Sequence, residues 1–149
     1  MMDWSVVFSG VNLVALIAWA FLILAPRWPA MLSAILYLVI GGLCALYAVL
    51  LVSVLSGFIP AGNGGADFTT IEGVRSIFGS DIGVVIGWTH YLAFDLFVGL
   101  WIARDADAKF FPRWIQAPIL LATFIAGPLG LVIWLVIREP RARAKGRFT

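Results

Sequence analysis

Four apolar stretches, residues 4–25, 30–56, 82–103 and 115–137, constrain this chain more than any motif in it. A helix needs about 20 apolar residues to cross a hydrocarbon core roughly 30 Å thick, because each residue adds about 1.5 Å. Each stretch meets that length. The rest of the composition agrees: 62% of residues are apolar and 12% charged, and the mean hydropathy is +1.03, outside the range of water-soluble domains. The reading is an all-α polytopic membrane protein, a four-transmembrane-helix bundle forming one integral membrane domain over residues 1–149. The start, Met1-Met2-Asp3-Trp4, lacks the positive region of a cleavable signal, so the first stretch is expected to be retained as a span.

The connections are punctuated as spans require. Pro26-Arg27-Trp28-Pro29 ends the first, and a short charged turn from Arg104 to Trp114 joins the third to the fourth. The one long connection covers residues 57–81. It opens with Gly62-Asn63-Gly64-Gly65, then carries Phe68, Ile71, Val74, Ile77 and Phe78 at helical spacing, which predicts a short interfacial helix. That loop could be a lid over a lipid entrance or a plain connector. With four spans both termini share a side. Arg138, Arg141, Arg143, Lys145 and Arg147 place that side in the cytoplasm, as an inner-membrane protein would have it, although Arg27, Arg104, Lys109 and Arg113 then fall outside.

Several functions are excluded. The net charge of +2 comes largely from five basic residues in the last twelve positions, a placement that suits a membrane surface and not nucleic acid. Cys44 is the only cysteine and His90 the only histidine, so no thiolate or histidine-rich metal centre is expected. Walker, GxSxG and HExxH signatures are missing. No cofactor can be assigned.

Two residues stand out by depth. His90 and Asp95 straddle the middle of the third span, where a carboxylate costs roughly 2.5 to 3.5 kcal/mol on insertion scales and usually has a function. At about 100° per residue they diverge by about 140°. Asp95 shares a face with Tyr91 and Trp88, and Tyr91 could donate to its carboxylate. His90 shares another with Phe94, Phe97 and Trp101, a stripe able to line an elongated slot or simply to pack. Partners from other spans would be Ser9, Asn12, Tyr37, Tyr47, Gln116 and Thr123; Asp105 and Glu72 are the remaining carboxylates of interest. The alternative for Asp95 is a structural clasp that fixes helix register. Gly41-Gly42 and Gly127-Pro128-Leu129-Gly130 predict close helix approach or a kink, the latter freeing the Phe124 carbonyl.

The string from Gly87 to Gly99, Gly-Trp-Thr-His-Tyr-Leu-Ala-Phe-Asp-Leu-Phe-Val-Gly, followed by Trp101-Ile102-Ala103-Arg104-Asp105-Ala106 and later by Ala126-Gly127-Pro128-Leu129-Gly130-Leu131, resembles the ABA4-like family. Plant members of that family are required for making neoxanthin from violaxanthin, and this compact form looks like a bacterial member. The resemblance implies a carotenoid or related isoprenoid lipid as partner, within a bilayer and with no nucleic acid, in a chain that could self-associate. It also implies an isomerase of the neoxanthin synthase type, turning an epoxide into an allenic alcohol without redox change. Asp95, helped by Tyr91, would be the acid and His90 the base, with Trp88, Phe94, Phe97, Trp101, Asn12 and Asp105 around the ligand. A non-catalytic carotenoid-binding protein and a small proton-coupled transporter are the competing readings.

Overall fold

The computed structural model describes residues 3–60 and 69–145, all helix and connection with no strand among them. Helix α1 covers Trp4–Leu24. Asp3 caps it by accepting from the Ser5 N–H, the kind of cap that satisfies an otherwise orphaned donor. After the Pro26 to Trp28 break the chain returns as one 27-residue rod, Pro29–Leu55. The rod is built from α2 (Pro29–Ala34), a π-helical turn (Ile35–Ile40) and α3 (Gly41–Leu55). The short helix expected in the long loop is α4, Ile71–Ile77; Gly62 to Gly65 lie outside the described residues. Helix α5, Asp81–Ala108, is the longest and most buried element, and α1, the rod, α6 and α7 all pack on it.

Among the described residues three helices are long and apolar enough to cross a membrane: Trp4–Leu24, Pro29–Leu55 and Asp81–Ala108. The fourth stretch does not form the single helix expected over 115–137. It folds as α6, Arg113–Ile125, and α7, Gly127–Lys145, separated by the non-helical Ala126. A continuous helix would have placed Trp134 about 34 Å from Phe111; instead their rings meet edge to face at 5.0 Å. Farther along α7, Arg138 bonds Asp105 and Arg141 bonds the Phe110 carbonyl. The two helices therefore make a hairpin that enters the bundle beside α5, turns at Ala126 and leaves at the end where it entered.

The sequence 126–130 explains the turn. In an uninterrupted helix the Pro128 ring would clash with the Phe124 carbonyl and supply no N–H, so the helix stops and restarts with proline in its first turn, where the missing donor costs nothing. A Cβ on Gly130 would lie 2.4 Å from the Thr123 nitrogen, and one on Gly127 would lie 2.0 Å from Asp95 Oδ1. Both glycines permit backbone approaches that no side chain allows. The freed carbonyl that is used belongs to Ile125, which accepts from Tyr91 Oη at 3.1 Å, not to Phe124.

The hairpin also changes the disposition of the ends. Trp4 lies beside Asp81 at the start of α5, whereas α7 finishes beyond Lys109 at its finish, roughly 40 Å away along the helix. Among the described residues the start of α1 and the end of α7 therefore lie at opposite ends of α5, where four straight spans would have put them at the same end. Charges segregate accordingly. Arg27, Arg104, Lys109, Arg113, Arg138, Arg141 and Arg143 gather at the α7 end, and Arg75 is the one described basic residue at the other.

That basic end is tied by buried polar groups. Asp105 accepts from Arg138 Nε at 2.6 Å, Lys109 Nζ at 2.8 Å and Trp134 Nε1 at 3.0 Å. Arg27, outside the spans, reaches the Ala103 carbonyl, Asp107 and Gln116, so one side chain links the α1–α2 connection to α5 and α6. Burial lowers the Arg27 pKa from its ordinary value, while the hydrogen bond and charge of Asp107 oppose the shift. Its charge is thus held by Asp107 and not by water.

Candidate functional site

Helix α5 carries two unlike faces, divided as the 100° periodicity predicts. On the first, Trp88 donates to Asn12 Oδ1 at 2.9 Å and stacks on Tyr91 at 5.1 Å. Asn12 in turn donates to the Phe8 carbonyl. Tyr91 bonds the hairpin turn through Ile125. Asp95 is 8% exposed. Its carboxylate packs against the Gly127 backbone, where a Cβ would lie 2.0 Å from Oδ1, which sets it at the positive N-terminal end of α7. Its Oδ2 has no partner among the described residues, a condition that costs about 1–3 kcal/mol for a buried polar atom. This face is closed around Asp95, where Asn12, Trp88, Tyr91 and Asp95 tie α1, α5 and the hairpin together, although the Trp88 ring stays 37% exposed.

The second face is open. His90 is exposed, stacks on Phe94 with ring centroids at 4.6 Å, and lies 5.4 Å from the Tyr47 ring. From there a cavity of about 400 Å³ runs between the rod and α5, walled by Tyr37, Ile40, Gly41, Cys44, Ala93, Phe94 and Phe97. Leu36 and Phe97 also border a second cavity of about 330 Å³, which continues along α5 past Leu100 and Trp101 to Arg104, Asp105 and Ala108. The two form one lateral groove. From Ala93 to Ala108 it follows fifteen residues of helix, about 22 Å. Its inner part is almost wholly apolar, its end polar. Two wall features explain the open space. The π-helical turn contributes Leu36, Tyr37 and Ile40, and the Gly41 N–H bonds back to Leu36, the wide turn that often marks a functional position. Among the described residues a Cβ placed on Gly42 meets nothing within 4 Å and one on Gly41 meets only the Leu36 carbonyl of the same rod, at 3.6 Å, so these glycines leave volume and do not bring helices together.

His90 and Asp95 are therefore not assembled into one site. The imidazole stacks on Phe94, which lines the groove; the carboxylate is on the far side of α5 against Gly127. Trp88, Tyr91 and Asn12 accompany Asp95, Phe94, Phe97 and Trp101 accompany His90, and Asp105 sits at the groove mouth held by Lys109 and Arg138. Thr123 and Gln116, named as partners for the central residues, bond the Ile119 carbonyl and the Asp107 and Phe111 oxygens instead. Among the described residues no group of three histidine, cysteine or acidic side chains could hold a metal. Sequence reasoning missed Leu36, Gly41, Cys44 and Ala93 as groove walls, because small and aliphatic residues in an apolar run look alike. It also missed Gly127 as the partner of Asp95, although a Gly-Pro pair in the middle of an apolar stretch is the pattern of a broken membrane helix.

Fold and site together define, over the described residues, a helical protein with three membrane-length helices and a hairpin packed beside them. The chain belongs to the ABA4-like (ABA DEFICIENT 4-like) family, which matches residues 6–134 and so covers both faces of α5 and the hairpin turn. No curated protein matches the chain. Nor does any solved structure.

Proposed function

We propose that this is an integral membrane protein that takes a carotenoid-like isoprenoid from the bilayer into the lateral groove, and that His90 is the proton-transfer group presented to it. The observation that supports this reading is the groove itself: a slot about 22 Å long, apolar along its inner part and polar at its outer end, with His90 stacked on the lining residue Phe94. Ligand sites of this kind are mostly apolar with a few placed polar groups. Resident water is not needed for entry, because the ligand and the groove share the hydrocarbon phase.

The family resemblance supplies a reaction for that site, the redox-neutral opening of an epoxide. Its balance is simple. The vinylic C–H proton passes to the His90 imidazole, the epoxide C–O bond opens, and the oxygen takes up a proton that the imidazolium can return. One histidine suffices for this shuttle, so the second group expected from Asp95 is not required. Asp95 becomes a positioning residue that holds the hairpin against α5. The basic end lies in the cytoplasm, following the bias of Lys and Arg; the N-terminus and α4 then face the opposite side.

The test is to express the chain in a host that makes epoxy-carotenoids, purify it, and analyse bound and released pigments. The expected result is a coloured protein whose pigment is isomerised by the natural chain but only bound by His90→Ala. Pigment held unchanged by the natural chain would reduce the function to binding. A colourless protein would remove the reading.

A further inference from the structure

The groove is not symmetric along its length. Its inner end, at Phe94, Ala93 and Cys44, offers no charged group. Its outer end offers Arg104, which lines the cavity beside Trp101 and Asp105. The other charges at that mouth are already engaged: Asp105 is bonded by both Lys109 and Arg138, and the Arg138 guanidinium also lies 5.4 Å from the Trp101 ring centroid. Three cations thus face one carboxylate, and the carboxylate is neutralised twice over. Among the described residues Arg104 makes no hydrogen bond or ion pair. A guanidinium presents five donors and no acceptor, in a planar fork that matches a carboxylate. The mouth is therefore complementary to an acceptor, and its net charge favours an anionic one.

We infer that the groove selects an isoprenoid with an acidic end group, the carboxylate seated on Arg104 at the basic end and the polyene tail running inward past Trp101, Phe97 and Phe94 toward His90. The inference rests on the groove being the ligand site and adds the end-group chemistry, the polarity of entry and the specificity residue. The tail threads from the leaflet of the basic end and stops near the bilayer centre, so the ligand occupies about one leaflet and does not span both. Arg104 is a binding residue in this scheme and does no chemistry.

All-trans-retinoic acid and its methyl ester are suitable probes, because they share the polyene and differ only in the anionic end. Binding to the purified full chain in detergent, read by the shift of retinoid absorbance and by quenching of tryptophan emission, is expected to favour the acid by tenfold or more. Arg104→Gln should bring the two affinities together, and Arg104→Lys should keep most of the preference. Gly41→Leu, which fills the groove wall, should weaken acid and ester alike. Equal affinity of the natural chain for both probes, together with loss of both in Gly41→Leu, would overturn the end-group inference and leave the groove intact. Indifference of both probes to Gly41→Leu would overturn the groove reading as well, as would binding of neither.

Discussion

The two faces of α5 contain similar residues and have opposite fates. Each bears one titratable side chain near the middle of the span and each bears aromatic rings. Around Asp95, Trp88 bonds Asn12 of α1, Tyr91 bonds the Ile125 carbonyl at the hairpin turn, and Gly127 packs on the carboxylate. Around His90 the rings stack only on one another and on Tyr47, leaving a groove. On the proposed reading a buried polar residue in hydrocarbon is not by itself a catalytic sign. What separates architecture from a site is whether the neighbouring helices seal the residue or leave it accessible from the bilayer.

The strongest way to break the closed face is through the cluster that holds the hairpin. Asp105→Leu leaves Lys109 and Arg138 without their carboxylate, and losing one partner of a buried ion pair costs about 3–5 kcal/mol. Unfolding in mixed detergent should show that loss. Next in size is Gly127→Ala, whose new methyl meets Asp95 Oδ1 at 2.0 Å; overpacking of this kind costs about 1–3 kcal/mol, and a second change, Asp95→Gly, should restore most of the stability by making room. If the double variant is no better than the single one, Asp95 and Gly127 are not in contact.

On the open face the sizes reverse. Gly41→Leu changes stability by less than about 1 kcal/mol, because its Cβ meets nothing closer than 3.6 Å, yet it is expected to reduce pigment retention at least tenfold, or about 1.4 kcal/mol in binding. Asp95→Asn is the mildest. It keeps the shape of the side chain, should shift stability by about 1 kcal/mol or less, and should leave bound pigment and its conversion within twofold. A complete loss of conversion in Asp95→Asn with the fold intact would return the carboxylate to the chemistry and erase the contrast between the faces.

Much of this arrangement was legible in the sequence, and the illegible part has a definite cause. The helical spacing separated His90, Phe94, Phe97 and Trp101 from Trp88, Tyr91 and Asp95, because 100° per residue operates along any helix. It could not say which face would be sealed, since that depends on the hairpin. The hairpin itself was hidden because hydropathy measures the apolar length of 115–137 and is blind to a reversal within it. The pairing of Asp105 with Arg138, 33 residues apart, and the packing of Gly130 on Thr123 decide the reversal, and neither is a local property. The charge count also misled for this reason: four straight spans divide the basic residues six to four, whereas the hairpin collects nearly all of them at one end.

The central claim is that the open face of α5 holds the lipid and the closed face does not. Photo-crosslinking tests it most directly, with p-benzoylphenylalanine placed at Phe94 or at Tyr91 in the full chain, expressed in carotenoid-producing membranes and irradiated. The account predicts a covalent pigment adduct, seen by mass and visible absorbance, from position 94 and none from position 91. An adduct from position 91, or from neither, would contradict it.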